Sequence, residues 1–64
     1  MKIEEVKRNL NKMVRYKDRA DIYRLTACIL RKGENGLFYQ AELLDTKHGR
    51  SIVICKLDEV EGIE

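Results

Sequence analysis

The sequence is short of rigid and bulky residues. Its 64 residues include no proline, no tryptophan, one phenylalanine and one histidine. Without proline, no segment is barred from forming the interior of a helix or a strand. Any core has to be built from isoleucine, leucine, valine and the three tyrosines, and a chain of this length buries only about 60% of its unfolded surface. We therefore predict a single domain, residues 1–64, of marginal stability.

Long apolar runs are also missing. No stretch approaches the roughly 20 apolar residues that cross a bilayer, and the N-terminal segment lacks the apolar stretch of a signal peptide. We expect a cytoplasmic protein with no membrane partner, in which Cys28 and Cys55 are reduced thiols. A disulfide between them would require that their strands are neighbours.

Residues suited to catalysis or metal binding are scarce. His48 lies in a turn-rich segment with Asp45 and Thr46, and a solvated loop is the favoured interpretation of that cluster. There is no Cys-x-x-Cys pair and no glycine-rich phosphate loop. A zinc site of Cys28, Cys55 and His48 would need a fourth ligand, and its spacing is wider than in structural zinc sites. We expect no enzyme activity, no cofactor and no metal.

The most informative pattern present is a pair of alternating segments, roughly 21–32 and 37–44. Odd-numbered positions in both are mostly apolar, which is typical of strands with one buried face. The two rows share a face only if paired residue numbers add to an even number. A three-residue loop over 34–36, whose glycine adopts a positive φ, meets this condition and predicts Ile29 opposite Ala41; a two-residue turn would not. We expect a core formed by Tyr23, Leu25, Ala27 and Ile29 with Leu37, Tyr39, Ala41 and Leu43.

Shorter elements flank this hairpin. Apolar residues near the N-terminus recur at spacings of three and four, which predicts an amphipathic helix over residues 2–13. Segment 14–16 predicts a short first strand. Segment 51–56, SIVICK, is apolar at both odd- and even-numbered positions, which predicts a strand covered on both faces. A helical turn over 57–60 and a last short strand follow. Together these elements predict an α+β fold, with the N-terminal helix packed on a strongly bent antiparallel sheet of three to five strands.

The charges are divided unevenly along the chain. Residues 1–32 carry ten Lys or Arg against four Asp or Glu, a net charge of +6. Residues 33–64 carry three against seven, a net charge of −4. This asymmetry predicts one basic surface and one acidic surface.

The order of elements resembles a known class of small domains. The segments 14–16 (VRY), 23–25 (YRL), 39–43 (YQAEL), 52–54 (IVI) and 57–60 (LDEV) follow the order of the small β-barrels of the SH3-like and Sm-like classes. The chain is also similar to short uncharacterised proteins of Gram-positive bacteria and their mobile elements or phages. The resemblance implies a small barrel, but no motif in it implies a particular function.

Two functions of different classes fit these patterns. The first is binding of DNA or RNA, because small barrels commonly bind nucleic acids through loops, one sheet face and aromatic rings that stack on bases. The predicted site combines six basic residues for phosphates with two rings for stacking, namely Arg15, Lys17, Arg19, Arg24, Lys47 and Arg50, with Tyr16 and Phe38. A merely solubilising surface is the competing interpretation, since the net charge of +2 is far below that of strongly basic binders.

The second function is that of a protein-interaction module, which would include a homo-oligomer or an inhibitor or regulator of a host protein. The even-numbered face of the hairpin carries Leu30, Phe38 and Leu44 where polar residues are expected. If they are uncovered, they form a contact patch, and the basic and acidic halves complement each other in a homodimer. Exposure of these three side chains therefore distinguishes an apolar contact surface from a closed barrel that acts through its basic loops.

Overall fold

The chain folds as one short helix packed against a five-stranded antiparallel sheet. A computed structural model describes residues 1–17, 19 and 21–63. In chain order the elements are α1 (Ile3–Asn9), β1 (Met13–Tyr16), β2 (Ile22–Gly33), β3 (Gly36–Leu44), β4 (Ile52–Lys56), a 3-10 turn (Leu57–Glu59) and β5 (Val60–Gly62). The strands lie in the order β4-β3-β2-β1-β5, so β4 and β5 form opposite edges of an open sheet. The predicted α+β class, with one N-terminal helix on an antiparallel sheet, is confirmed.

The helix ends earlier than its apolar spacing predicts. α1 stops at Asn9, and Asn11 adopts a φ of 64°, a left-handed conformation that asparagine tolerates better than most residues. The chain turns there because the amide of Asn11 donates to the carbonyl of Leu25 at 2.7 Å. The prediction that the helix continues to Met13 is therefore wrong: Met13 begins β1, and Leu10 is exposed.

The hairpin closes with a shorter loop than predicted. Gly33 pairs with Gly36, so the loop consists of residues 34–35. The numbers of paired residues therefore add to an odd number, and Ile29 lies opposite Gln40 instead of its predicted partner Ala41. The predicted three-residue loop is thus wrong, although Gly36 does adopt a positive φ, of 115°.

A β-bulge at Thr26 shifts the pairing by one residue, so that the numbers of paired residues beyond it add to an even number. Pairing skips this residue, so that Ala27 lies opposite Glu42 and Leu25 lies opposite Leu43. The Thr26 hydroxyl donates to the carbonyl of Glu42 at 3.1 Å, and the extra residue bends β2 locally. Between the start of β2 and the bulge, the apolar rows of β2 and β3 share one face as predicted. Between the bulge and the turn, they lie on opposite faces.

The core lies on the sheet face that α1 covers, which we name the core face; the other is the outer face. Its buried cluster consists of Val6, Val14, Tyr23, Leu25, Ala41, Leu43, Cys55, Leu57 and Val60. From the hairpin, only Tyr23, Leu25, Ala41 and Leu43 belong to this cluster. The expectation that Ala27, Ile29, Leu37 and Tyr39 are core residues is wrong. The bulge turns Ala27 and Ile29 to the outer face, and Leu37 and Tyr39 are exposed.

β4 is less covered than its sequence predicts. It lies at an edge of the sheet and pairs with β3. On the outer face, Ile52 and Ile54 are 56% and 45% exposed. The prediction of cover on both faces is wrong because α1 packs on the core face.

The two cysteines are kept apart by β3. Cys28 on β2 and Cys55 on β4 both pair with Ala41. Two strand spacings separate their backbones by about 10 Å, beyond the roughly 7 Å that a disulfide can bridge. Both are free thiols. Burial raises the pKa of Cys28, and burial with the nearby Glu59 raises the pKa of Cys55 to about 11, so both remain protonated near neutral pH.

Candidate functional site

The antiparallel topology brings four of the predicted basic residues to one end of the sheet. The connection between β1 and β2 carries Lys17 and Arg19, and the turn between β3 and β4 carries Lys47 and Arg50. Because β2 and β3 are antiparallel, both connections leave the sheet at the end where β2 starts and β3 stops. All four residues are exposed. We name this group the basic end.

The other two predicted basic residues lie on the outer face beside the basic end. Arg15 pairs with Ile22, and Arg24 pairs with Leu44. Residues that pair directly across strands share a face, and both arginines are exposed. Six basic side chains therefore surround one end of the sheet.

The two aromatic candidates are not brought together. Phe38 lies near the hairpin turn, whereas Tyr16 ends β1, about nine residues of strand away, or up to roughly 30 Å. The Tyr16 ring packs edge to face on Tyr23 with centroids 6.3 Å apart, and the Arg19 guanidinium lies 5.6 Å from its centroid. Burial and the adjacent Glu59 carboxylate raise the pKa of Tyr16. One stacking surface therefore cannot contain both rings.

The Asp45 carboxylate organises the turn between β3 and β4. Its Oδ1 accepts the amides of Lys47 and His48, each at 2.9 Å, and its Oδ2 lies 3.2 Å from Nδ1 of His48. The hydrogen bonds from the His48 and Lys47 amides hold the pKa of Asp45 below its ordinary value. Asp45 is buried while His48 is exposed. The carboxylate therefore shapes the turn that presents the basic residues.

The turn end of the hairpin extends beyond the cover of its neighbours. The pairing of β3 with β4 ends at Gln40 and Lys56, and residues 30–39 continue as a two-stranded ribbon, which we name the arm. Four large apolar side chains are exposed on it: Leu30 at 55%, Leu37 at 69%, Phe38 at 38% and Tyr39 at 39%. The predicted patch of Leu30, Phe38 and Leu44 does not form on one face, because Leu30 pairs with Tyr39 whereas Phe38 pairs with Arg31. Leu44 lies outside the arm and is half-buried.

A groove of about 740 Å³ separates the arm from the start of α1. Met1 and Ile3 line one side, Leu37 and Tyr39 line the other, and Leu57 lies between them. Charged residues of both signs stand at its rim. The Met1 ammonium donates to the carbonyls of Leu57 at 3.0 Å and Val60 at 2.6 Å, which holds the N-terminus beside the groove. The groove is therefore a mainly apolar depression beside an exposed ribbon.

Sequence reasoning missed the exposure of Leu37 and Tyr39, which it assigned to the core, and of Ile52 and Ile54. A signal was present in the predicted strands 14–16 and 51–56, which are much shorter than the hairpin segments. β2 and β3 span 12 and 9 residues, whereas β1, β4 and α1 have 4, 5 and 7. Elements this short cannot cover the whole hairpin.

Within residues 1–17, 19 and 21–63, no cluster of three or more His, Cys, Asp or Glu side chains is placed to hold a metal ion. In the same part of the chain, no helix has the length and apolar character needed to span a bilayer. No protein-family model, curated protein or solved structure matches the chain.

Proposed function

We propose that the chain is a non-enzymatic protein-interaction module that binds an extended apolar segment of another protein along its arm. The observation that carries this proposal is the exposure of Leu30, Leu37 and Tyr39 on one face of a projecting ribbon, with Phe38 exposed on its other face. Grouped apolar residues exposed in this way are typical of contact sites, whereas isolated ones are not. The adjoining groove offers a concave apolar surface beside the ribbon.

The free edge of β3 favours an extended partner. The amide of Asp45 donates to the carbonyl of Ser51 at 2.8 Å, and hydrogen-bonded pairs alternate along an antiparallel ladder. The odd-numbered residues of β3 therefore direct their N–H and C=O groups towards the β4 side. At Leu37 and Tyr39, beyond the last pair with β4, these groups face the position that an added strand would occupy. Addition of a peptide strand to a sheet edge is a recurrent mode of recognition.

The order of the elements bears on the fold class of the chain. The helix, long hairpin, 3-10 turn and final short strand occur in the order on which the resemblance to SH3-like and Sm-like barrels rests. We propose an open member of that architectural class. Two free thiols favour a cytoplasmic setting, in which an inhibitor or regulator of a host protein would act.

Selection of peptides tests this function without a known partner. A phage-displayed library of random peptides of about 12 residues, panned on the immobilised chain, should yield sequences with alternating apolar residues. We expect Leu37→Ser to weaken the selected peptides at least about tenfold, because it removes the most exposed anchor of the arm. Amide hydrogen exchange at Leu37 and Tyr39 should slow in the complex.

The matched control is Leu10→Ser, which changes an exposed leucine, 40% accessible, outside the arm and the groove. Its effect on peptide affinity should stay within about twofold. The proposal fails if panning enriches no sequence, or if Leu37→Ser leaves the affinity of every selected peptide unchanged.

Nucleic-acid binding is the second candidate, favoured by the basic end. Four exposed basic residues in two different connections meet there, with Arg15 and Arg24 on the adjoining outer face. Such a cluster can follow a phosphate backbone. In this proposal a ring would stack bases at only one place, since Tyr16 and Phe38 lie far apart.

Fluorescence anisotropy with labelled single-stranded DNA and RNA tests this candidate. The double variant Lys17→Glu with Lys47→Glu should reduce the slope of log affinity against log salt by about 1.5. The control Lys7→Glu with Lys12→Glu makes the same charge change on exposed lysines outside the basic end and should leave the slope nearly unchanged. Absence of binding at about 50 mM salt would exclude this function.

A further inference from the structure

The free edge of β4 is a second exposed surface, separate from the arm. The strand is apolar at four of its five positions. Its outer-face residues Ile52 and Ile54 are about half exposed, although isoleucine is among the residues most often buried. Proteins usually keep such edges short, place charged residues on them or cover them. In β4 the charged residue is Lys56.

The main-chain groups of this edge follow from the ladder with β3. Because Asp45 and Ser51 form a hydrogen-bonded pair, alternation makes Val53 and Cys55 the residues of β4 whose N–H and C=O groups bond to β3. The groups of Ile52, Ile54 and Lys56 therefore point away from the sheet. This spacing is symmetric about Ile54, with one outward-pointing residue on each side.

A strand with this symmetry can pair with a copy of itself. We propose that two copies of the chain associate through their β4 strands, antiparallel, about a two-fold axis at Ile54. Ile54 then faces Ile54 of the second copy, and Ile52 faces Lys56 of the second copy in both directions. All outward-pointing groups of the strand are satisfied, by about six main-chain hydrogen bonds. The aliphatic stem of Lys56 covers Ile52 while its ammonium remains in water.

Charge complementarity specifies the antiparallel arrangement. The turn before β4 is basic, with Lys47 and Arg50, and the 3-10 turn after β4 is acidic at the exposed Asp58. Antiparallel pairing about Ile54 brings the basic turn of each copy to the acidic turn of the other, twice per dimer. A parallel pairing would bring like charges together. Arg50 and Asp58 each lie two residues outside β4, at the strand ends that this pairing brings together.

The arrangement also predicts that association stops at two copies. Two-fold pairing uses the same edge on both chains and consumes it. The opposite edge, β5, has only 3 residues and offers few groups for a further chain. The product is a closed dimer with a ten-stranded sheet, two five-stranded sheets joined at β4, and both arms remain free.

Sedimentation equilibrium of the full chain tests the proposal. We expect a reversible dimer with a dissociation constant on the order of 10–100 µM, since a short edge buries less surface than a standard interface. Ile54→Lys places two ammonium groups on the axis and should raise this constant at least about tenfold. Ile63→Lys is the matched control, because Ile63 is also 45% exposed, and it should leave the dimer unchanged. Circular dichroism verifies that both variants are folded.

A charge swap and a cross-link test the geometry itself. Arg50→Asp or Asp58→Arg alone should weaken the dimer about fivefold, and the double variant should restore it to within about twofold. Ile54→Cys should form an inter-chain disulfide under mild oxidation, because paired residues at the axis lie about 5.5 Å apart; Ile63→Cys should not.

Three results would overturn the inference. These are a monomer up to about 1 mM, a mass above two chains, or a dimer that persists in Ile54→Lys. Because Leu37→Ser leaves the β4 edge intact, a failure of peptide binding by the arm and a failure of dimerisation are distinguishable.

Discussion

Replacing Leu43 by alanine is expected to unfold the protein. Leu43 is fully buried, lies opposite Leu25 on β2 and opposite Val53 on β4, and joins both halves of the core. Truncation of a buried leucine to alanine costs about 2–5 kcal/mol, the sum of lost burial and the cavity left behind. A domain of this length has a free energy of unfolding of only about 3–10 kcal/mol, and its small size favours the low end.

Urea denaturation followed by far-UV circular dichroism measures this effect. The wild-type chain should show a cooperative transition, and Leu43→Ala should show little native signal at low urea. Leu37→Ala makes the same change on a side chain that is 69% exposed. Its free energy of unfolding should therefore differ from that of the wild type by less than about 0.5 kcal/mol. Equal midpoints for wild type and Leu43→Ala would contradict the assigned core.

Deleting Glu42 is expected to abolish folding, whereas deleting Thr26, its neighbour across the ladder, is expected to be tolerated. Ala41 and Leu43 face the core on either side of Glu42. If Glu42 is removed, they become consecutive and must face opposite sides of the sheet. At least one core position is then lost, together with the register that both share with β4, at about 1.5–3 kcal/mol for each large side chain exposed.

The deletion of Thr26 has the opposite consequence. Leu25 and Ala27 already face opposite sides of the sheet and pair with Leu43 and Glu42. Joining them directly removes the bulge and leaves every other pair in place. The loss is the hydroxyl bond to Glu42 and the local bend, about 1–2 kcal/mol.

Amide-resolved NMR spectra of the two deletion variants provide the measurement. The Thr26 deletion should give dispersed resonances with native cross-strand contacts between Leu25 and Leu43. The Glu42 deletion should give the narrow dispersion of an unfolded chain. A folded Glu42 deletion, or an unfolded Thr26 deletion, would show that the bulge is not the device that aligns the two apolar rows.

The predicted functional residues illustrate how far local patterns reach. Basic side chains could be recognised in the sequence, whereas their meeting at one end of the sheet follows from the antiparallel pairing of β2 with β3. The chain alone did not reveal that Tyr16 packs against Tyr23 and Arg19. Those contacts depend on how β1 is placed beside β2, which is a long-range property.

The sequence by itself determined the α+β class, the alternation of the strands and the existence of the hairpin, because these depend on side-chain periodicity and turn chemistry within a few residues. The helix length was overestimated because Asn11 pairs with Leu25 across the fold, a contact that no local spacing encodes. Only the tertiary structure decided which apolar side chains are covered. Cover depends on the two-residue turn, the bulge at Thr26 and the short reach of α1, β1 and β4. Those features leave the arm and the β4 edge bare, and with them the two surfaces to which we assign binding.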